Sequence, residues 1–237
     1  MPKKLLLIST STVHGSGYLE YCSADIRLFL DGQDSVLFVP YARPGGMSHD
    51  SYTAMARKSF ETIGMALDGI HEAPQPSAAV ESAAALFVGG GNTFLLLREL
   101  YRVGVMDAIR AKVRSGMLYV GTSAGSNVAG LTIGTTNDMP IVYPPSFDAL
   151  GLAPFNINPH YLDPDPNSTH RGETRDTRIK EFHVLHDHPV VGLREGAMLH
   201  ITDSSVKLQG SNGARLFLSR DEPAEFTTGD EMGFLLS

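Results

Sequence analysis

At 237 residues, 42% hydrophobic and 19% charged, the chain can bury a sizeable core, and wholesale disorder is excluded. A formal net charge of −7 argues against the basic face that nucleic acid or an anionic membrane would require. Its one cysteine, Cys22, excludes an intrachain disulfide and argues against a Cys-based zinc site.

The N-terminal MPKKLLLISTST pairs two lysines with an apolar run. Residues 5–8 are too few for the roughly 7–15 apolar residues of a secretory signal, so the run reads as a first buried strand over 5–9. No stretch approaches the roughly 18 apolar residues of a membrane span. The expectation is a cytoplasmic protein with neither a membrane nor a nucleic-acid partner; no motif sets its oligomeric state.

Tyr18, Cys22, Ile26 and Phe29 recur at helical spacing, as do Tyr52, Ala56, Phe60 and Ile63, and a strand over 36–40 separates them. A strand over 65–71, a helix over 77–85 and a strand over 86–89 follow. A helical region over 93–115, broken near Gly104, leads to a strand over 117–121. Strand and helix alternate and the strands are apolar on both faces. This predicts a mainly parallel sheet with helices on both faces.

Residues 131–170 are rich in Pro, Asn, Asp and Thr with little periodicity, and irregular stretches of that length tend to be functional. A helix is expected over 173–185. Residues 190–218 alternate around Asp203-Ser204 and Asn212-Gly213, predicting C-terminal antiparallel hairpins. With no repeat and no linker, residues 1–237 read as one α/β domain.

Two glycine motifs carry chemistry. VGGGNTF, residues 88–94, lies where a strand meets a helix. The last glycine of a dinucleotide fingerprint would fall at Phe94, and no P-loop lysine follows. The motif is therefore either a tight structural turn or an anion cradle at a helix N-terminus. GTSAGSN, residues 121–127, sets Ser123 among small residues after a strand and before a helix, the context of a nucleophile elbow. The Ala124 amide would face a developing oxyanion, with Gly90 or Gly91 supplying the second donor. The bland alternative is that Gly and Ala merely let a helix pack closely on a strand.

A serine nucleophile needs a base. His14 and His49 sit in loops, and His71 and His200 read as strand-end or surface residues. His183, His186 and His188 suit the C-terminal end of a helix dipole and lack a metalloprotease pattern, so no metal is expected. His160, in Asn158-Pro159-His160 and flanked by Phe155, Ile157 and Tyr161, is the preferred base. It follows Ser123 too soon for an α/β-hydrolase, which points to another fold.

Together VGGGNTF, GTSAGSN, TTNDMPIV (135–142), INPHY (157–161) and GETRDTRI (172–179) resemble the peptidase E family, the α-aspartyl dipeptidases. The resemblance implies a class I glutamine-amidotransferase-like α/β fold and hydrolysis of dipeptides with N-terminal aspartate. It implies Ser123 as nucleophile, His160 as base, and Asp138 or Glu195 as the acid that orients His160. Asp138 is preferred as the more rigid residue, on a Pro-bounded loop. No cofactor is implied.

The substrate that the resemblance implies is a small molecule, an Asp-X dipeptide. Its carboxylate needs a local cation in an acidic protein; Arg175 is the first choice, with Arg171 and Asn92 as further substrate-binding candidates. The alternatives are a cyanophycinase-like peptidase acting on aspartyl polymers, and a non-catalytic protein that binds a nucleotide or other anion at its glycine turns.

Overall fold

A computed structural model of the protein describes residues 3–165, 167 and 172–236. Along the chain, β1 (Leu5–Ile8) leads through α1 (Ser23–Phe29) to β2 (Ser35–Val39), and α2 (His49–Glu61) leads to β3 (Ala66–Gly69). Next, α3 (Pro76–Ser82) precedes β4 (Ala85–Val88), and α4 (Thr93–Arg102) with α5 (Met106–Arg114) precedes β5 (Leu118–Thr122). That strand passes directly into the short α6 (Ala124–Asn127). The rest of the chain supplies β6 (Asn156–Tyr161), α7 (Arg175–His183), β7 (Val190–Arg194), β8 (Ala197–Ile201), β9 (Val206–Gly210), β10 (Ala214–Phe217) and β11 (Ala224–Phe226).

The main sheet has the order β3-β2-β4-β5-β1-β8-β9. Its first five strands in that order are parallel, and β8 and β9 are antiparallel. The run Leu5 to Ile8 is buried at every position because both faces of the sheet are covered. Leu5 and Leu7 pack toward Leu97 and Leu100 of α4 and Ile109 and Val113 of α5. Leu6 and Ile8 pack toward Ile26 of α1 and Tyr52 and Phe60 of α2. Successive side chains on a strand point to opposite faces, so one apolar run serves two cores. Fold class and helix placement match the expectation, including the break between α4 and α5.

Two sequence expectations change. The long irregular region contains β6, hidden because its sequence is NINPHY. Proline is tolerated there because β6 is an edge strand of a second, four-stranded sheet, order β11-β10-β7-β6, where no ladder partner needs the missing N–H. Its asparagines are buried and bonded: Asn158 Nδ2 donates to the Thr135 carbonyl at 2.7 Å, and Asn156 Oδ1 accepts from the Leu131 and Thr132 amides. The C-terminal strands are also not a simple run of hairpins. The pair β8–β9 is one, across Asp203-Ser204, and β10–β11 is antiparallel. At Glu195-Gly196, however, the chain crosses from β7 in the second sheet to β8 in the main sheet, and near Asn212-Gly213 it crosses back. Alternation alone cannot tell a hairpin from a crossing.

Candidate active site

The parallel strands of an open α/β sheet present a crevice at their carboxyl ends, and Ser123 directly follows β5 there. The serine adopts φ 53°, ψ −113°, a conformation that a side chain resists and that persists only where neighbours over-determine it. The determinants are local. The Ser123 carbonyl accepts from the Ser126 and Asn127 amides, both at 2.9 Å. Ser126 Oγ reaches the carbonyls of Ile8 and Gly121 at 2.7 and 2.8 Å. A Cβ on Gly125 would sit 2.1 Å from the Val88 carbonyl oxygen, so only glycine lets α6 come this close to β4.

The histidine expected to act as base comes from the other sheet. His160 Nε2 lies 3.0 Å from Ser123 Oγ, and His160 Nδ1 lies 2.7 Å from Glu195 Oε1. An ionised carboxylate only accepts hydrogen bonds, so Nδ1 carries the proton and Nε2 is left to accept from the serine. His160 too has φ 53°, at a register break in β6 between Pro159 and Tyr161. Its amide donates to Ser9 Oγ at 3.0 Å, and that hydroxyl donates to the Leu193 carbonyl at 2.7 Å. Ser9, one residue past β1, thus pins the strained histidine to both sheets. Glu195 occupies the crossing from β7 to β8, and its carbonyl accepts from Asn212 Nδ2 at 2.8 Å.

Asp138 does not reach His160. Its Oδ2 accepts from the Thr93 amide at 2.7 Å, Thr93 Oγ1 at 2.6 Å and Thr136 Oγ1 at 3.2 Å. Thr93 opens α4, whose amides and dipole attract an anion. The structure therefore places Glu195, and not the preferred Asp138, on His160 Nδ1. Asn92 is likewise committed elsewhere: it caps α4, Oδ1 accepting from the Leu95 amide at 3.0 Å and Nδ2 donating to the Met139 carbonyl at 2.9 Å. Arg171 lies outside the described residues.

Ser123, His160, Asp138, Arg175 and the Gly90–Gly91 turn line one cavity of about 420 Å³. The amides of Gly90, Gly91 and Ala124 donate to no acceptor among the described residues. Gly91 has φ +147°, and a Cβ there would lie 2.2 Å from the Ala42 carbonyl oxygen, so the turn must be glycine. Arg175, at the start of α7, has no ion-pair partner among the described residues. Burial and the nearby Arg178 pull its guanidinium below its ordinary pKa, with Asp138 acting the other way. A larger groove of about 540 Å³ between β2, β3 and α3 contains no histidine.

The sequence reading misses Ser9, Tyr52 and Arg43. Tyr52 Oη donates to the Gly90 carbonyl at 3.1 Å, and Arg43 enters the same cavity from the loop after β2. The crevice rule could have found Arg43, because it follows the carboxyl end of a parallel strand. The histidines at and just past the end of α7 are engaged otherwise: His183 Nε2 contacts the His188 carbonyl at 3.0 Å, and His186 stacks on Phe182. Among the described residues no His, Cys, Asp and Glu cluster could hold a metal, and no helix is long and apolar enough to cross a membrane.

Residues 5–209 match the profile of Peptidase family S51. The chain is 49% identical over 232 residues to a Streptomyces coelicolor protein named Peptidase E, covering 98% of this chain and 94% of that one. It is 48% identical over 237 residues to a Drosophila melanogaster protein named Probable alpha-aspartyl dipeptidase, covering 99% and 98%. A solved structure of a putative peptidase E protein from Listeria monocytogenes EGD-e superposes with a TM-score of 0.68 at 24% identity, over 90% of this chain and 100% of that one. A peptidase from an acI-B1 Actinobacterium gives a TM-score of 0.74 at 16% identity, over 99% and 98%. At those identities the two structures speak to the fold.

Proposed function

The chain belongs to peptidase family S51, and from that premise we propose a serine-type dipeptidase that hydrolyses Asp-X dipeptides through an acyl-enzyme. The observation that carries the reading is the hydrogen-bond chain from Glu195 through His160 to Ser123, at 2.7 and 3.0 Å. Ser123, on its nucleophile elbow, attacks the peptide carbonyl carbon as His160 Nε2 takes its proton. Glu195 keeps the imidazole oriented and stabilises the imidazolium. The oxyanion rests against the Ala124 amide and the Gly90–Gly91 turn; loss of one such donor costs about 2.7–4 kcal/mol. His160 then protonates the leaving amine, and a water activated by the same histidine hydrolyses the ester to release aspartate. The scheme calls for no cofactor.

Arg175 takes the substrate β-carboxylate, where a planar guanidinium can pair with both oxygens. Asp138, with Oδ2 saturated by α4, offers Oδ1 to the substrate α-ammonium. Residues 1–237 act as one catalytic domain in this reading, since the main sheet supplies Ser123 and the second sheet His160. A reducing, cytoplasmic setting suits the one cysteine, a buried free thiol that burial pushes up to about 12.

The test is hydrolysis of dipeptides differing only at the first residue: Asp-Leu, Asn-Leu, Glu-Leu and Ala-Leu. Asp-Leu should be cleaved and Asn-Leu, its uncharged isostere, rejected. Equal rates on those two would remove the substrate assignment. Preference for an aspartyl polymer over Asp-Leu would favour a cyanophycinase-like activity instead.

A further inference from the structure

We infer that Arg43 anchors the C-terminal carboxylate of the substrate, so that the site selects for the length of a dipeptide as well as for its first residue. The inference rests on the Asp-X reading above and extends it to the leaving-group side.

Arg43 lines the cavity that holds Ser123 and His160. Its Nε is buried without a hydrogen-bond partner, and its Cζ lies 4.7 Å from the centroid of the Tyr52 ring. Other arginines of the fold have carboxylates close by: Arg57 with Glu72, Arg98 and Arg102 with Glu99, Arg110 with Asp107, Arg194 with Asp163. Arg43 has none among the described residues. A buried, unpaired guanidinium N–H is costly, and a ligand anion arriving in the cavity is the partner that would satisfy it.

The charges match sign by sign. An Asp-X dipeptide carries one ammonium and two carboxylates. Besides His160, the charged side chains lining the cavity are one carboxylate, Asp138, and two guanidiniums, Arg43 and Arg175. Asp138 and Arg175 act on each other electrostatically, so they suit the ammonium and β-carboxylate borne by a single aspartyl residue. Arg43 is mounted apart from them. It stacks on Tyr52, which belongs to the core on the α1 and α2 face, whereas Asp138 caps α4 on the opposite face. Ser123, at the end of the central β5, lies between. A substrate with its first residue toward α4 and α7 therefore extends its second residue toward Arg43. The loop is also tied to the proposed oxyanion turn, because the Ala42 carbonyl accepts from the Asn92 amide at 2.7 Å. One further residue in the substrate would carry the carboxylate past the guanidinium.

The experiment measures kcat/KM of wild type and Arg43→Met on Asp-Leu and on Asp-Leu amide, which lacks the terminal charge. Wild type should prefer the acid over the amide by roughly 10–100-fold, the range of a hydrogen bond to a charged group. Arg43→Met should lose that preference and cleave Asp-Leu and its amide at similar rates. Equal wild-type rates on both substrates would overturn the inference while leaving the Asp-X reading intact. So would an equal loss on both in a variant whose melting temperature is unchanged. The wild-type comparison needs no variant, so equal rates overturn the inference even if Arg43→Met is unstable. Wild type cleaving neither substrate would overturn the dipeptidase reading and this inference with it.

Discussion

Tyr52 Oη donates a hydrogen bond to the carbonyl of Gly90 at 3.1 Å. A trans peptide is planar, with N–H and C=O opposed, so fixing the Gly90 carbonyl toward α2 directs the Gly91 N–H the other way, toward the cavity. Tyr18 Oη in turn donates to Tyr52 Oη at 3.3 Å, so two tyrosines set the orientation of one peptide. In the proposed mechanism that peptide supplies an oxyanion donor. Tyr52→Phe should therefore lower kcat by roughly 2–10-fold, the worth of one hydrogen bond, with KM nearly unchanged. Affinity for a peptide aldehyde, which forms an oxyanion on the serine, should fall by the same factor. Weakened substrate binding with an unchanged kcat would mean that Tyr52 only packs.

The acid that orients His160 is open to a direct ranking. Glu195 Oε1 stands on His160 Nδ1, while Asp138 Oδ2 is spent on α4. Glu195→Gln should lower kcat by roughly 10²–10⁴-fold with KM little changed. Asp138→Asn should instead act mainly on KM for Asp-X and lower the melting temperature by weakening the α4 cap, about 0.5–2 kcal/mol for such a residue. A kcat collapse in Asp138→Asn with Glu195→Gln unaffected would return the role to Asp138.

What is legible in the sequence is what local chain geometry determines. Ser123 is marked by the small residues that its strained turn needs, and the alternating strands are marked by apolar runs buried on both faces. His160 is legible as a lone histidine among apolar anchors, although β6 around it is not, because asparagine and proline mask a strand whose edge position tolerates them. The choice of Glu195 over Asp138 is not legible, since it depends on the chain crossing between sheets at Gly196. Arg43 and Tyr52 are silent for the same reason: their meaning lies in which strand end and which carbonyl they meet across the fold.

Arg175 should govern recognition of the first residue. Arg175→Met leaves Asp138 in the cavity without its positive neighbour, so Asp-Leu loses an attraction and meets an uncompensated carboxylate. Its kcat/KM should fall by about 10²-fold or more, in line with roughly 3–5 kcal/mol for removing one partner of a buried ion pair. The residual rate on Ala-Leu should not fall. Parallel losses on the two dipeptides would show that the guanidinium supports the fold and not the substrate.

A last expectation concerns acid. Arg194 Nε and Nη2 donate to Asp163 Oδ2 and Oδ1 at 2.7 and 2.6 Å, a bidentate clamp between the chain just past His160 and the residue before Glu195. The Arg194 hydrogen bonds hold the Asp163 carboxyl below its ordinary range. A folded-state pKa lower than the unfolded value, about 3.9 for aspartate, means that the clamp contributes fully above that value. The contribution is lost as pH falls through the lowered folded value. Asp163 is half exposed, so solvent and salt screen the pair and the effect should be modest. Asp163→Asn should therefore lower the melting temperature near neutral pH, and the difference from wild type should shrink as pH falls below the ordinary aspartate value of about 3.9. The measurement is melting temperature against pH for both proteins, at low and high salt. Equal melting temperatures of the two proteins at neutral pH and low salt would show that the carboxylate gains nothing from Arg194 on folding, and would leave the alignment of His160 with Glu195 to Ser9 and the backbone alone.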